Sequence, residues 1–428
     1  MIKTIFDSNS KYTPFGGLHL IHQQILAKNI PQLINNTLGS RACNARYSYS
    51  DLILTLAYIV FCGGECAEDI WHVKDALKYM KGLKTPSSDT LLGMQKELST
   101  ESEEIISERG VNNKINVNDP LNHLLVRTST RLRVLIPGDK DYCLDFDHQF
   151  IPNEKYDSTY SYKHKRGYFP AVASINNTPV YIENRNGNCS VKFQQLDTIR
   201  RVISLLASHG IKPAYARMDC GSYIKDVCQY LDQEKITFYI RAEQSDSLLY
   251  NVSLSQDWKK IEIGVNSYQT CSIEHSFGEN TFRVVAYRWL NESRQTNILS
   301  NDAYHYLFIL TNDRERDEKT IIEFYNQRGN AERLFDIQNN DFNWKRMPFS
   351  FLEQNTVYLI IMAICHVLYQ WLIVVFSKCC HWLKPTHRLK KFTFGLVCMV
   401  GKVIRSGRRQ VVKLFTPVNL YPLIFNSC

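Results

Sequence analysis

YCLDFDHQFI, residues 142–151, mixes aromatic and aliphatic residues in the manner of a buried strand. Alternation places Asp145 and Asp147 on one face and Leu144, Phe146 and His148 on the other. An acid inside so apolar a strand is costly unless a cation meets it. Outward from this strand the order is strand (YFPAVASI), strand (TPVYIEN), helix (FQQLDTIRRVISLLAS), strand (AYARM), helix and strand (ITFYIRA). Three consecutive strands followed by α/β alternation predict a mixed sheet covered by helices.

Two further acidic segments stand out. In RMDCGSYIKD a short strand ends at Asp219 and Gly221 opens a helix, so a carboxylate sits at the carboxyl end of a strand, where sites in α/β sheets lie. Taken alone, Asp219 reads equally well as a helix cap. In IIEFYNQRGNAERLF, residues 321–335, Tyr325, Arg328 and Glu332 follow at steps of three and four and share one stripe of a predicted helix. An Arg one turn before a Glu is either a structural pair, worth little on a helix surface, or part of a carboxylate site held for chemistry.

LDFD, RMDCGSY and YNQRGNAERLF together resemble the three acidic segments of the DDE transposases of bacterial insertion sequences. The Tyr-x2-Arg-x3-Glu core is similar to the helix signature of the branch that carries a β-rich insertion before its last acid. The details resemble most the thirteen-eighty insertion-sequence family, over about residues 10–375. Two positions depart from that pattern: Gln149 stands where the family has Thr, and Asn339 where it has Lys.

The resemblance implies a ribonuclease H-like sheet and metal-dependent cutting and joining of phosphodiesters. Two Mg²⁺ (or Mn²⁺) ions roughly 3.5–4 Å apart can activate a hydroxyl and stabilise a departing oxygen, and such hard cations want oxygen ligands. Asp147, Asp219 and Glu332 are the expected ligands, with Asp145 the rival for the first position because it shares a face with Asp147. Tyr325 and Arg328 are expected on the DNA backbone near the scissile phosphate.

Around these segments the chain divides into residues 1–138, helical; 139–244, the first part of the catalytic domain; 245–315, a β-rich insertion; 316–378, its second part; and 379–428, a helical, basic C-terminal region. In the first division, Ser50 or Asp51 is a candidate cap for one helix and Asn118 or Asp119 for another, and SSDTLLGMQKEL is either the groove-entering helix of a helix-turn-helix or part of a packed bundle. SYKHKRGY, between the first two strands, brings Lys163, Lys165 and Arg166 to a hairpin tip that is either merely solvated or in contact with DNA. Lys259, Lys260, Arg283 and Arg288 are weaker contact candidates in the insertion.

The formal charge is +9, and from residue 383 to the end there are nine Lys or Arg and no acid, which suits a polyanion. Residues 357–376 are apolar enough to cross a bilayer, but His366 and Gln370 interrupt them and a buried core helix is the simpler reading. MIKTIFDSNSKYTPFGG lacks an apolar signal region, and thirteen cysteines, an odd number, fit free thiols in a reducing cytoplasm; Cys62 and Cys66 lack the second ligand pair of a zinc site. The expectation is therefore a bacterial, cytoplasmic transposase that acts on double-stranded DNA, at terminal inverted repeats and at a target, as a homodimer and without a membrane. A domesticated, inactive DNA-binding protein is the alternative.

Overall fold

A computed structural model describes residues 11–277, 279–290, 303–407 and 409–416. Its centre is an eleven-stranded mixed sheet made of β1 (Glu103–Ile106), β2 (Asn112–Val117), β3 (Cys143–His148), β4 (Ala171–Ile175), β5 (Thr178–Arg185), β6 (Tyr215–Met218), β7 (Thr237–Arg241), β8 (Lys259–Ile263), β9 (Asn266–Phe277), β10 (Asn280–Leu290) and β11 (Tyr304–Thr311). Across the sheet the order is β8-β9-β10-β11-β7-β6-β3-β4-β5-β2-β1. β3 pairs antiparallel with β4, and β4 with β5, whereas β6 and β7 run parallel to β3.

The insertion does not stand apart from this sheet. β11 pairs antiparallel with β7, Tyr239 opposite Thr311, so the four inserted strands continue the catalytic sheet at its edge. At the other edge β1 and β2, a hairpin not anticipated from the sequence, extend it through β5.

The helices are α1 (Leu18–Ala27), α2 (Ile30–Leu38), α3 (Tyr49–Phe61), α4 (Ile70–Leu77), α5 (Ser88–Glu97), α6 (Asp119–Arg131), α7 (Gln195–Ser208), α8 (Lys225–Gln233), α9 (Asp246–Ser253), α10 (Glu318–Asn326), α11 (Asn330–Asn340) and α12 (Leu352–Ser377). α3 starts from Ser48 rather than from Ser50 or Asp51: the Ser48 hydroxyl accepts from the Asp51 N–H, and the Asp51 carboxylate accepts from the Ser48 N–H at 2.9 Å. α6 starts from Asn118, whose side chain accepts from the Leu121 N–H at 3.2 Å. α5 packs Leu91 and Met94 into the same core as α3 and α12, as in a bundle.

α12 is, among the described residues, the one helix long and apolar enough to span a bilayer, and 83% of its most apolar stretch lies inside the protein. Each large side chain buried this way is worth about 1.5–3 kcal/mol, which makes α12 the spine of the core it shares with α1–α6. The two polar residues that interrupt it have partners there: His366 Nδ1 meets Gln338 Nε2 at 3.0 Å, and Gln370 donates to the Asn177 carbonyl at 3.0 Å. A second core lies between the sheet and α7, α8 and α9.

The C-terminal region is not purely helical. After a short helical turn, Leu389–Phe392, strands Val400–Ser406 and Arg409–Phe415 form a hairpin that takes Tyr12–Thr13 on its edge. Both strands are rich in β-branched Val and Ile, and Gly407 takes φ +62 at the turn, so a hairpin prevails over helix formation. Residues 417–428 of the basic tail lie outside the described residues.

Candidate active site

The parallel register of β3 and β6 sets Asp145 opposite Arg217 and Phe146 opposite Met218. The next residues, Asp147 and Asp219, therefore come together at the carboxyl ends of two adjacent strands. Asp145 and Asp147 share a face, as alternation predicts, but their surroundings differ. Asp145 is 4% exposed and takes both arms of the Arg217 guanidinium, at 2.7 and 2.8 Å. Arg217 in turn donates to the Phe324 carbonyl at 3.0 Å and to the Gln327 side chain at 3.1 Å. Burial raises the Asp145 carboxyl against the pull of Arg217, and both its oxygens are already occupied.

Asp147 faces a cavity of about 480 Å³, shared with Asp219, Arg241, Lys192, Tyr162 and Lys163. Its carboxylate accepts from the His148 N–H and from Arg328 Nη1, both at 2.8 Å. Burial and the neighbouring Asp219 push this carboxyl up to about 6, with Arg328 opposing. Asp219 begins a 3₁₀ turn, Cys220–Ser222, and accepts the Gly221 N–H at 3.0 Å; burial raises it too, against Arg328. A Cβ at Gly221 would stand 3.0 Å from the Asp219 oxygen, so a side chain there would crowd the carboxylate.

The helix predicted over 321–335 is broken. α10 ends at Asn326, Gln327–Gly329 form a 3₁₀ turn, and α11 starts at Asn330. Arg217 holds the end of α10 through Phe324 and Gln327, and Gly329 and the flanking asparagines are weak helix formers, so the break falls between them. The break separates the stripe. Arg328 turns to Asp147 rather than to Glu332, and Tyr325 lies beside Arg328 with its hydroxyl buried and unpartnered. Glu332 is exposed on α11, and among the described residues no three His, Cys, Asp or Glu side chains form a group able to hold a metal ion.

A family model for the transposase DDE domain group 1 matches residues 12–424. The chain belongs to that transposase family. No curated protein matches it. Among solved structures, a cryo-EM structure of a piggyBac transposase synaptic complex with hairpin DNA is similar, at 12% identity over 90% of this chain and 79% of that one, with a TM-score of 0.41.

The remaining cations of this transposase divide by what they touch. Lys163 lines the cavity and Lys165 is exposed on the same hairpin, whereas Arg166 donates to the Ser158 carbonyl at 2.6 and 3.2 Å and closes that hairpin. In the insertion Arg283 is tied to Glu318 and to the Arg316 carbonyl, Lys259 lies 3.9 Å from Glu318, and Arg288 is sandwiched between Trp258 and Tyr304 at 3.8 and 4.3 Å; Lys260 is exposed. Gln149 and Asn339 each carry a buried side-chain oxygen without a partner. The twelve described cysteines are free.

The sequence reading missed Arg241 and Lys192. Arg241 is exposed at the cavity and ends β7, the strand next to β6, so the rule that placed Asp219 at a strand's carboxyl end reaches it as well. Lys192 lies in a loop after β5, paired with Glu243 at 2.7 Å, and no local pattern marks it.

Proposed function

We propose that the chain is an active cut-and-paste transposase that cleaves DNA strands at its element's ends and joins them to target DNA with the help of divalent metal ions. The observation that carries this reading is the convergence of Asp147 and Asp219, from separate segments, on one cavity, with Arg328 from the third segment bonded to the first of them. The order β7-β6-β3-β4-β5, with its antiparallel and parallel halves, supports a ribonuclease H-like reading of the sheet.

The residues fit a hard divalent cation. Two adjacent carboxylates raised by burial, Asp147 also by Asp219, gain most from a positive charge between them, and oxygen is the donor such an ion takes. Asp147 and Asp219 would hold Mg²⁺ or Mn²⁺, with Glu332 as the third carboxylate once the first turn of α11 brings it inward. When bound, the ions supply activation of an attacking hydroxyl and stabilisation of the leaving oxygen. The chain's own part is positioning: Arg328 offers a planar fork to a phosphate, the unpartnered Tyr325 hydroxyl a further donor, and Lys163 and Arg241 positive charge at the mouth. Double-stranded DNA with terminal inverted repeats, a homodimer on it and a bacterial cytoplasmic setting complete the proposal.

The test is Mg²⁺-dependent cleavage of DNA carrying the inverted repeats that flank the gene. Asp147→Asn and Asp219→Asn should each lower cleavage by at least about 10³-fold while binding to the same DNA persists. Asp145→Asn should instead lose stability, because it leaves Arg217 buried without its partner. Wild-type cutting by Asp147→Asn or Asp219→Asn would overturn the assignment.

A further inference from the structure

Away from the catalytic cavity, two histidines meet where two elements adjoin. His123 lies on α6, whose Leu121, Leu124 and Leu125 belong to the core built around α12, and His209 follows the last residue of α7, which packs on the sheet. His123 Nδ1 stands 2.9 Å from His209 Nε2, with the two rings inclined at 65°. Both side chains are partly exposed and line an open cavity of about 370 Å³, together with Asp119 and Arg127. Asp119 and Arg127 lie one turn to either side of His123 on α6, so a carboxylate and a guanidinium flank the pair. Burial, then His123 and Arg127, hold the His209 imidazole below its ordinary range, which keeps it neutral, the form that ligates a metal.

The spacing is that of two ligands on one ion. Nitrogens each about 2.0–2.1 Å from a metal stand about 2.9 Å apart when the angle at the metal is a right angle, and about 3.3–3.4 Å apart at the tetrahedral angle. The observed 2.9 Å matches the right angle that ions such as Ni²⁺ and Cu²⁺ adopt, and imidazole suits those ions as it does not suit Mg²⁺. We propose that His123 and His209 form a binding site for a transition-metal ion of the Ni²⁺ or Cu²⁺ class, with water completing the coordination and Asp119 offsetting the charge of Arg127. On binding, the one proton between the rings moves to the far nitrogen of its own imidazole, so each ring presents a lone pair and no net proton is released. The site offers nitrogen where Asp147 and Asp219 offer oxygen, and an ion held there ties the helical core to the sheet.

The test is calorimetric titration of Ni²⁺ into the full, untagged chain in buffer that already holds excess Mg²⁺, beside melting temperatures with and without Ni²⁺. The wild type should bind Ni²⁺ saturably despite the Mg²⁺, and should melt about 2–4 °C higher once Ni²⁺ stands about 100-fold above its Kd. His123→Gln and His209→Gln, on different elements, should each weaken that binding by at least about 10-fold and abolish the rise. Both side chains are partly exposed, so both variants should keep a cooperative melt in EDTA. Undiminished Ni²⁺ binding in either folded variant would place the ion on other groups, such as the free thiols, and overturn the site. Absence of saturable binding in the wild type would leave the two rings as a plain hydrogen bond and overturn it as well, and neither result touches the catalytic reading.

Discussion

Two clusters of carboxylates and guanidiniums lie in the same sheet, and their balance is opposite. On β5, Glu183 accepts from Arg185, Thr198, Arg201 and Tyr181 at 2.7–3.0 Å, so one buried anion has two cations and two hydroxyls. At the ends of β3 and β6, two carboxylates share chiefly one guanidinium, that of Arg328, and a hydroxyl, that of Tyr325, is left without a partner. Burial alone would raise the Glu183 carboxyl, but Arg185 and Arg201 outweigh it and bring it down to about 2; Asp147 is pushed the other way, to about 6. The first cluster is complete and serves the fold. The second has negative charge to spare, which is what a metal or a substrate can use.

The largest effect should come from breaking the complete cluster. Arg185 also donates to the Phe193 carbonyl at 2.8 Å and so pins the loop that supplies Val191 and Lys192 to the cavity. Glu183→Gln leaves two buried guanidiniums without their anion and should cost about 3–5 kcal/mol in chemical denaturation. The wild type should show the same dependence in acid. A carboxyl lowered to about 2 from its ordinary value near 4.5 contributes stability that is whole above about 4.5 and lost as the pH falls towards 2. Glu183→Gln should lack that part of the acid transition, and an unchanged acid profile in the variant would show that Glu183 is no source of it.

Smaller in energy, but sharper in meaning, is Arg328→Lys. If Arg328 serves only to hold Asp147, an ammonium at the same place keeps most of the cleavage. If the planar fork clamps a phosphate, lysine cannot reproduce it, and cleavage should fall about 10- to 100-fold with the melting temperature close to wild type. The second outcome is expected, because the neighbouring Tyr325 hydroxyl is also left open. A lysine variant that cuts at the normal rate would refute the clamp.

How much of this was legible follows from the range of each interaction. Alternation along β3 put Asp145 and Asp147 on one face, and the strand–Asp–Gly turn put Asp219 at a strand end, because both are local patterns. Which of the two strand acids faces the cavity was not legible: it depends on Arg217, 72 residues from Asp145 along the chain and opposite it only through the β3–β6 register. Helical spacing likewise proposed Tyr325, Arg328 and Glu332 as one stripe, but spacing presumes an unbroken helix, and the break at Gln327–Gly329 is set by contacts to Arg217. The inserted strands were visible as strands, whereas their union with β7 is a long-range pairing that no local period encodes. Glu183 sits in an apolar strand just as Asp145 does; Arg185 shares its face two residues along β5, whereas Arg201 meets it only once α7 is packed against β5.

The smallest effect, and the one that tests the comparison directly, is the stability of Asp147→Asn. An acid whose carboxyl is raised on folding takes up a proton more readily in the folded state, so its contribution to stability falls as the pH rises from about 4 through about 6 and stays low above that. The amide removes the repulsion from Asp219, and Arg328 keeps Asp219 as a neighbouring charge. Asp147→Asn should therefore be more stable than wild type at pH 7.5, by about 0.5–2 kcal/mol, while cleavage is lost. The gain should shrink towards pH 5, where the wild-type carboxyl carries its own proton. If the variant melts below wild type at pH 7.5, the bridge to Arg328 outweighs the repulsion from Asp219, and the second cluster, like the first, would be held together for the fold.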